Sequence, residues 1–232
     1  AGVYYQPGSL KAHLCREGLS QTVAFCRQHA IPYKQCGKLI IASDNKEIER
    51  LTRLSQRAHE NGVPSQLLNE QQLRNIEPNV RGRAGLLISE TCVVDYAVIC
   101  RKIAEVFVDR GGELLLGRCV VAMREQATQV HLETNVEMFR ARHVIACAGL
   151  HADRVAKLAG LEMDFAILPF RGDFYELPSH RANVVSHLIY PVPDPSLPFL
   201  GIHLTMTING GIMAGPSAML ALHREGYEKH SL

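Results

Sequence analysis

A nearly all-apolar run that ends in a glycine constrains the fold more than any other feature of this sequence. His143–Ala148 reads HVIACA, Gly149 follows at once, and a helix starting at His151 or Ala152 is predicted next. An apolar run without polar alternation is typical of a strand buried on both faces of a parallel sheet. A strand, a glycine turn and a helix in this order predict an α/β nucleotide-binding domain.

The segments upstream of this run fit the same class. Capping residues and apolar stripes predict four helices, from Pro7 to about His29, from Ser43 or Asp44 to Asn61, from Asn69 to Glu77, and from Tyr96 to about Arg110. Apolar or alternating runs predict strands at Gly37–Ala42, Glu113–Leu116, Arg118–Met123, Gln129–Glu133 and Met138–Arg140. The last three strands predict an antiparallel meander inserted into the α/β domain. The fourth helix is expected to bury Val98, Ile99, Ile103, Val106 and Phe107.

The character of the sequence changes beyond Gly160. Residues 165–215 are rich in aromatic and β-branched residues and are interrupted by prolines. This pattern predicts several antiparallel strands joined by turns, which form a second, α+β domain.

Composition excludes several classes of protein. The formal charge is only +2 for 25 basic and 23 acidic residues, which argues against a protein that binds nucleic acid through its phosphates. No apolar run is long enough to span a membrane and no secretory leader opens the chain, so a soluble cytoplasmic protein is expected. The seven cysteines are scattered and never spaced as CxxC, so neither disulfides nor a metal site are expected.

One candidate binding segment is the turn Ala148-Gly149-Leu150. Small residues at the carboxyl end of a buried strand allow a planar or phosphate-bearing ligand to approach the backbone. The alternative is a plain turn between strand and helix, and the 232 residues contain no G-x-G-x-x-G fingerprint.

Four further residues are candidates for a substrate site. Arg171 lies between Phe170 and Gly172 in a predicted strand, where a permanent charge favours an anionic partner or, alternatively, an edge position reaching water. Tyr190, His203 and Thr205 flank apolar strands. A neutral histidine can accept a hydroxyl proton, and Tyr and Thr can orient a carboxylate, although a structural role for each remains open.

Eight segments carry a resemblance to a known family. They are YYQPGSLKAHLC (4–15), YKQCGKLIIA (33–42), ENGVP (60–64), VVDYAVI (93–99), ACAGLHADRVAKLAG (146–160), LPFRGDFYEL (168–177), IYPVPDPSLPFLGIHLT (189–205) and GPSAMLALHREGY (215–227). With these segments the chain resembles the FAD-dependent L-2-hydroxyglutarate dehydrogenases/oxidases, within the D-amino-acid oxidase-like (DAO) fold group.

The resemblance implies a cofactor, a reaction and roles for residues. FAD would be held noncovalently and would accept a hydride from the substrate's α-carbon at N5, giving 2-oxoglutarate from a 2-hydroxy dicarboxylic acid. Electrons would pass to O2 or, through peripheral contact with the cytoplasmic face of the inner membrane, to the quinone chain. Val120 would contact the adenine, and Ala148, Gly149 and Leu150 would lie against the FAD.

The same resemblance implies that Arg171 faces the substrate or the flavin edge and that Tyr190, His203 and Thr205 face the substrate. Arg171, Tyr190 and Thr205 are the candidates for binding substrate and His203 is the catalytic candidate, while the choice of base among Tyr190, His203 and Thr205 stays open. It divides the chain into a partial Rossmann-like FAD-binding domain (1–36 and 93–160) and a substrate-binding domain with an antiparallel sheet of the DAO type (37–92 and 161–232).

The chain departs from the family pattern at both ends. The family's glycine-rich first βαβ unit would precede Ala1, and its return to the FAD domain would follow Leu232. Two alternatives therefore stay open: a catalytically inactive remnant that serves as an interaction module, and a DAO-like amino-acid oxidase.

Overall fold

A computed structural model describes residues 2–227. The chain forms two compact units, one of Ala1–Val106 with Gly172–Ser217 and the other of Phe107–Arg171 with Ala218–Leu232. Ala1 and residues 228–232, which belong to the predicted domains, lie outside the described residues. The residue boundaries of these units differ from those of the predicted functional domains, and that functional division stays a prediction.

Five α-helices and fourteen strands are defined among the described residues. The helices are α1 (Leu10–Gln28), α2 (Asn45–Glu60), α3 (Glu70–Ile76), α4 (Tyr96–Asp109) and α5 (Ala152–Leu158), with short 3-10 helices at Gly149–His151 and Ser179–Arg181. The strands are β1 (Tyr33–Gln35), β2 (Lys38–Ala42), β3 (Gln66–Asn69), β4 (Ala84–Ile88), β5 (Cys92–Val94), β6 (Val120–Glu125), β7 (Val130–Thr134), β8 (Met138–Ala141), β9 (Phe170–Arg171), β10 (Tyr175–Glu176), β11 (Leu188–Pro191), β12 (His203–Met206), β13 (Ile212–Gly215) and β14 (Met219–Leu220). The mixed α/β and α+β class predicted from the sequence is confirmed.

Side-chain caps set the starts of the first three helices. The Ser9 hydroxyl accepts from the Ala12 N–H at 3.2 Å, and the Asp44 carboxylate accepts from the Glu47 N–H at 2.8 Å. Asn69 forms a reciprocal capping box at the start of α3. Each cap satisfies an amide that has no partner within its helix. The predicted starts of α2 and α3 are confirmed, whereas α1 begins at Leu10, after its cap Ser9, and not at the predicted Pro7.

A seven-stranded mixed sheet forms the centre of the first unit. Its strand order is β10-β13-β12-β11-β2-β4-β3, and all neighbours are antiparallel except β11 and β2, which are parallel. All five residues of β2 are buried. Ile40 and Ala42 pack in the cluster that contains residues of α2, and Leu39 and Ile41 pack against α3, so both faces of the central strand are covered.

The second unit contains the predicted meander and a short strand pair. Strands β6, β7 and β8 form an antiparallel sheet in that order, with α5 packed against β6, and β9 pairs with β14. The meander and the helix α5 are confirmed.

Two predicted strands of the second unit are wrong. Residues 143–148 have no regular structure and Ile145 is 87% exposed, and Glu113–Leu116 is likewise irregular, with Leu116 76% exposed. An apolar run becomes a buried parallel strand only when neighbouring strands accept its backbone hydrogen bonds. Among residues 2–227 no strand pairs with either segment, so their apolar side chains stay at the surface.

The predicted buried stripe of α4 is only partly correct. Ile99 is buried and Val98 packs beside it, whereas Ile103 and Phe107 are 52% and 50% exposed. Helical spacing predicts which residues share a face, but burial requires another element on that face. The start of α4 has such a neighbour in the cluster that includes Cys26 of α1, and its second half has none among the described residues that buries Ile103 or Phe107.

Candidate functional site

Tyr190, His203 and Thr205 come together on adjacent strands of the large sheet. The rings of Tyr190 and His203 stack with centroids 4.0 Å apart at an interplanar angle of 17°. The pairing of Ile189 with Leu204 explains this, because it places the next residue of each antiparallel strand, Tyr190 and His203, opposite one another. The Thr205 side chain lies near that of Tyr190 and opposes part of the effect of burial on the Tyr190 pKa. Three of the four predicted substrate-side residues therefore form one cluster.

His203 has the environment of a neutral imidazole. Its Nδ1 lies 3.0 Å from the Gly201 carbonyl oxygen, which can only accept, so Nδ1 carries the proton and the lone pair is on Nε2. Burial lowers the pKa of His203, the hydrogen bond to the Gly201 carbonyl opposes part of this effect, and the positive charge of Lys38 makes a smaller lowering contribution. A neutral imidazole with a free Nε2 lone pair can accept a hydroxyl proton.

The hydroxyl groups of the cluster remain protonated. Burial raises the pKa of Tyr190, and burial raises the pKa of Tyr4 well above the usual value for a phenol. Both tyrosines therefore act as neutral hydrogen-bonding groups over the physiological pH range.

Lys38 is a member of this cluster that the sequence reading missed. Its side chain is buried in β2, its Nζ lies 3.3 Å from the Tyr4 hydroxyl oxygen, and the same Nζ lies 4.3 Å from the centroid of the Tyr190 ring. Burial lowers the pKa of Lys38 to about 8. A signal was present, because Lys38 is the one charged residue in the apolar run of residues 37–42 and a buried cation there is costly.

The predicted FAD-contact residues lie in the second unit. Gly149 has a φ of +50° and no atom lies within 4 Å of the position that a Cβ would take. The turn of residues 148–150 leads into α5, which packs against β6, and β6 begins at Val120 as an edge strand of its sheet. Val120 and residues 148–150 thus belong to elements that pack together, as expected for residues of one binding surface.

Arg171 is the predicted substrate-side residue that falls in this second unit. It lies in β9 opposite Met219 of β14 and is half-buried. The prediction that Arg171 lies in a strand is confirmed, and the strand has two residues.

A buried ion pair fastens the 148–150 turn. Arg224 makes a bidentate interaction with the Asp153 carboxylate, with Nη2 to Oδ2 at 2.6 Å, and its Nη1 also donates to the Leu150 carbonyl oxygen at 2.7 Å. The Arg154 and Ile167 amides donate to the same carboxylate. The hydrogen bond from Arg224 holds the pKa of Asp153 well below its usual range. This network ties Arg224 to the start of α5 and fixes the turn of residues 148–150, which directly precedes this helix.

We expect the Arg224→Met change to loosen this turn. Loss of the charge-assisted bonds leaves the buried Asp153 carboxylate without its main partner, and we expect amide hydrogen exchange of residues 149–154 to accelerate about 10- to 100-fold. Arg224→Lys keeps one charged donor group, and its amide exchange rates are expected to fall between those of wild type and Arg224→Met. Arg154→Met, which alters an exposed side chain, is the control, and equal exchange in Arg224→Met and in the control would contradict the role of Arg224.

The pH dependence of this turn has a defined sign. The pKa of Asp153 is lower in the folded chain than in the unfolded chain, so the ion pair contributes stability above the unfolded carboxyl pKa of about 4. That contribution is lost as the pH falls from about 4 toward the depressed folded value, and exchange of the turn is expected to accelerate only in that range.

Solved structures share the fold of this chain. The FAD-bound L-α-glycerophosphate oxidase of Mycoplasma pneumoniae is similar in structure with a TM-score of 0.87, 22% identity, and coverage of 99% of this chain and 62% of that one. Glycine oxidase from Geobacillus kaustophilus is similar with a TM-score of 0.78 at 16% identity over 94% of this chain and 58% of that one. These likenesses show a fold shared with oxidases of small molecules.

Comparison of the sequence with known proteins identifies the family. The FAD dependent oxidoreductase family, DAO, matches residues 1–230, and the chain belongs to this family. L-2-hydroxyglutarate dehydrogenase of Escherichia coli strain K12 is 43% identical over 230 residues, covering 99% of this chain and 54% of its own length. The mitochondrial L-2-hydroxyglutarate dehydrogenase of Homo sapiens is 38% identical over 98% of this chain and 52% of its own length. The chain therefore spans about half the length of the curated relatives it matches.

FAD is the cofactor of this family, and the described residues fit part of it. The open backbone face of Gly149 admits a flat group at close range, and the free edge of β6 at Val120 offers backbone groups to a heterocycle. The sequence contains no glycine-rich strand-to-helix turn for the pyrophosphate. Among the described residues no cluster of His, Cys, Asp or Glu could hold a metal ion.

Proposed function

We propose that this chain carries the substrate side of an FAD-dependent oxidoreductase that converts L-2-hydroxyglutarate to 2-oxoglutarate. The observation that carries the proposal is the neutral His203 stacked on Tyr190, a proton acceptor beside hydroxyl groups suited to a carboxylate. The substrate comes from the relatives at 38–43% identity, which are named for it.

The residues of the chain take separate roles in this proposal. His203 Nε2 accepts the proton of the substrate 2-hydroxyl group as the C–H bond at the same carbon breaks. Tyr190 and Thr205 donate hydrogen bonds to a substrate carboxylate, and Arg171 supplies a permanent positive charge for a dicarboxylic substrate. Val120 and the turn of residues 148–150 hold FAD. When bound, FAD accepts the two electrons that leave the substrate with its α-hydrogen.

The domain division belongs to the same proposal. Residues 1–36 and 93–160 form part of the FAD-binding domain, and residues 37–92 and 161–232 form the substrate-binding domain. The part of the relatives' length that this chain does not match supplies the pyrophosphate site, and supplies the cover for the exposed apolar side chains at Ile103, Phe107 and Ile145.

A chimaera tests this function directly. Residues 1–230 replace the matching 230 residues of the E. coli relative, whose remaining sequence supplies the rest of the protein. We expect the purified chimaera to contain FAD and to reduce a dye acceptor with L-2-hydroxyglutarate. A folded, FAD-containing chimaera that is inactive with this substrate would contradict the proposed function.

Controls in the same assay separate the two alternatives. Glycine, D-amino acids and glycerol 3-phosphate are run beside L-2-hydroxyglutarate, and preference for an amino acid would favour an amino-acid oxidase. FAD titration of the 232-residue chain alone addresses the inactive remnant. Since binding energy distributed over several segments is not recovered from one of them, we expect this titration to show weak binding or none.

The electron acceptor is proposed as either O2 or the respiratory chain, the latter reached by peripheral contact with the inner membrane from the cytoplasm. Within residues 2–227 no helix has the length and apolar character needed to cross a membrane. Oxygen consumption by the chimaera, compared with its reduction of a short-chain quinone, distinguishes the two acceptors.

A further inference from the structure

Lys38 is a buried cation whose presence in the core of the large sheet requires an explanation. It is 5% exposed, and among the described residues no carboxylate forms an ion pair with it. Among the described residues, the Tyr4 hydroxyl is the hydrogen-bond partner of the Lys38 ammonium group. The Lys38 Nζ also lies over the rings of Tyr4 and Tyr190, at 4.6 and 4.3 Å from their centroids. Two cation–π contacts offset part of the desolvation cost, yet an apolar residue at this position would avoid that cost altogether.

The strand order puts Tyr190 between this cation and His203. Lys38 lies in β2, Tyr190 in the adjacent β11, and His203 in β12 on the far side of β11. Lys38 Nζ contacts the Tyr190 ring, and that ring stacks on the imidazole of His203 at 4.0 Å. The three side chains therefore form one continuous stack along a face of the sheet.

We propose that Lys38 is the positioning residue of the site: through the Tyr190 ring it fixes the imidazole of His203, and its charge adds to the burial that keeps this imidazole neutral. This inference deepens the proposed function and rests on it for the catalytic role of His203. The electrostatic part is independent of catalysis, because a buried positive charge disfavours a second positive charge on the other side of one aromatic ring in a medium of low dielectric constant.

The other titratable groups around the stack do not oppose this effect. Tyr4 and Tyr190 remain neutral, and the thiols of Cys15 and Cys36 lie near Lys38 and Tyr190 respectively. Burial raises the pKa of Cys36, so this thiol is also neutral near pH 7. Among the described residues, Lys38 is therefore the charged group that acts on the pKa of His203. Because the pKa of Lys38 is about 8, this charge is present at neutral pH and is lost as the pH rises beyond that value.

An NMR titration of the 232-residue chain tests the inference without requiring turnover. The Cε1–H signal of His203 is assigned by its loss in His203→Asn, and its titration midpoint is measured in wild type, Lys38→Met and Lys38→Arg. We expect Lys38→Met to raise the midpoint by about 0.5 to 1 pH unit. Two charges about 8 Å apart at an effective dielectric constant of about 20 would shift it by about 1.5 units, and screening by solvent and salt reduces this value. Lys38→Arg retains the charge and is expected to stay within about 0.2 unit of wild type.

The wild-type chain provides a second measurement in case Lys38→Met does not fold. The His203 signal is expected to show a small second inflection near pH 8, where Lys38 loses its proton. A midpoint in folded Lys38→Met that equals that of wild type, or a wild-type signal without this inflection, would overturn the inference. An inactive chimaera with the expected NMR shifts would instead contradict the proposed function and leave the electrostatic role of Lys38 in place.

Discussion

The His203→Ala substitution in the active chimaera is expected to lower kcat/KM for L-2-hydroxyglutarate by about 10²- to 10⁴-fold, the usual contribution of a positioned general base. His203 is the residue of the cluster with an available lone pair at Nε2, while Tyr190 and Tyr4 hold their protons. Dye reduction over a range of substrate concentrations separates kcat from KM, and we expect most of the loss in kcat.

Two variants show whether this loss is specific. His180→Ala changes an exposed histidine of the short helix Ser179–Arg181 and is expected to leave kcat/KM unchanged. His203→Gln keeps a side chain of similar length that cannot accept the proton as imidazole does, and is expected to be as impaired as His203→Ala. Retention of more than about a tenth of the activity in both His203 variants, with normal FAD content, would assign the base to another residue.

The Glu77→Ala substitution is expected to destabilise the first unit by about 3 kcal/mol or more. Glu77 is 1% exposed at the end of α3, and its Oε1 accepts from the backbone amides of Ser186 and His187, both at 2.7 Å, and from His187 Nδ1 at 2.6 Å. Its removal leaves these donors without their acceptor immediately before β11. At about 2–4 °C per kcal/mol for a chain of this size, the expected decrease in Tm is about 6–12 °C.

Matched variants test the origin of this effect. Glu77→Gln keeps an acceptor oxygen and is expected to lose less stability than Glu77→Ala. Glu49→Ala, at an exposed position of α2, is expected to change stability by no more than about 0.5 kcal/mol. A Tm of Glu77→Ala within about 1 °C of the Glu49→Ala value would show that the buried carboxylate does not anchor the segment before β11.

Local sequence signals predicted the helices well. Asp44 and Asn69 cap α2 and α3 as predicted, since a cap depends only on residues within one turn, whereas α1 begins at Leu10 and not at the predicted Pro7. The strand at β2 was also predicted, and its neighbours on both sides are present. The run at residues 143–148 has an equally apolar sequence but pairs with no strand in the part of the chain that the structure describes, because pairing depends on distant segments that local pattern does not reveal.

The candidate site was only partly predictable, because local pattern identifies single motifs but not the contacts between distant segments. The motif containing Tyr190, His203 and Thr205 was found from sequence, and the sheet register brings these side chains together. Lys38 was missed because its role depends on a parallel pairing between β2 and β11, which are separated by more than a hundred residues in sequence. Asp153 and Arg224 were missed likewise, because only the folded second unit brings their side chains into contact.

Anaerobic mixing of the FAD-containing chimaera with L-2-hydroxyglutarate tests the central claim most directly. The claim is that residues 1–230 form a surface that selects this substrate and delivers its electrons to FAD. We expect rapid loss of the yellow flavin absorbance with L-2-hydroxyglutarate, and a rate slower by at least about tenfold with the D-enantiomer or with glycine. Flavin absorbance that stays unchanged with L-2-hydroxyglutarate, in a chimaera whose flavin dithionite reduces normally, would contradict the account.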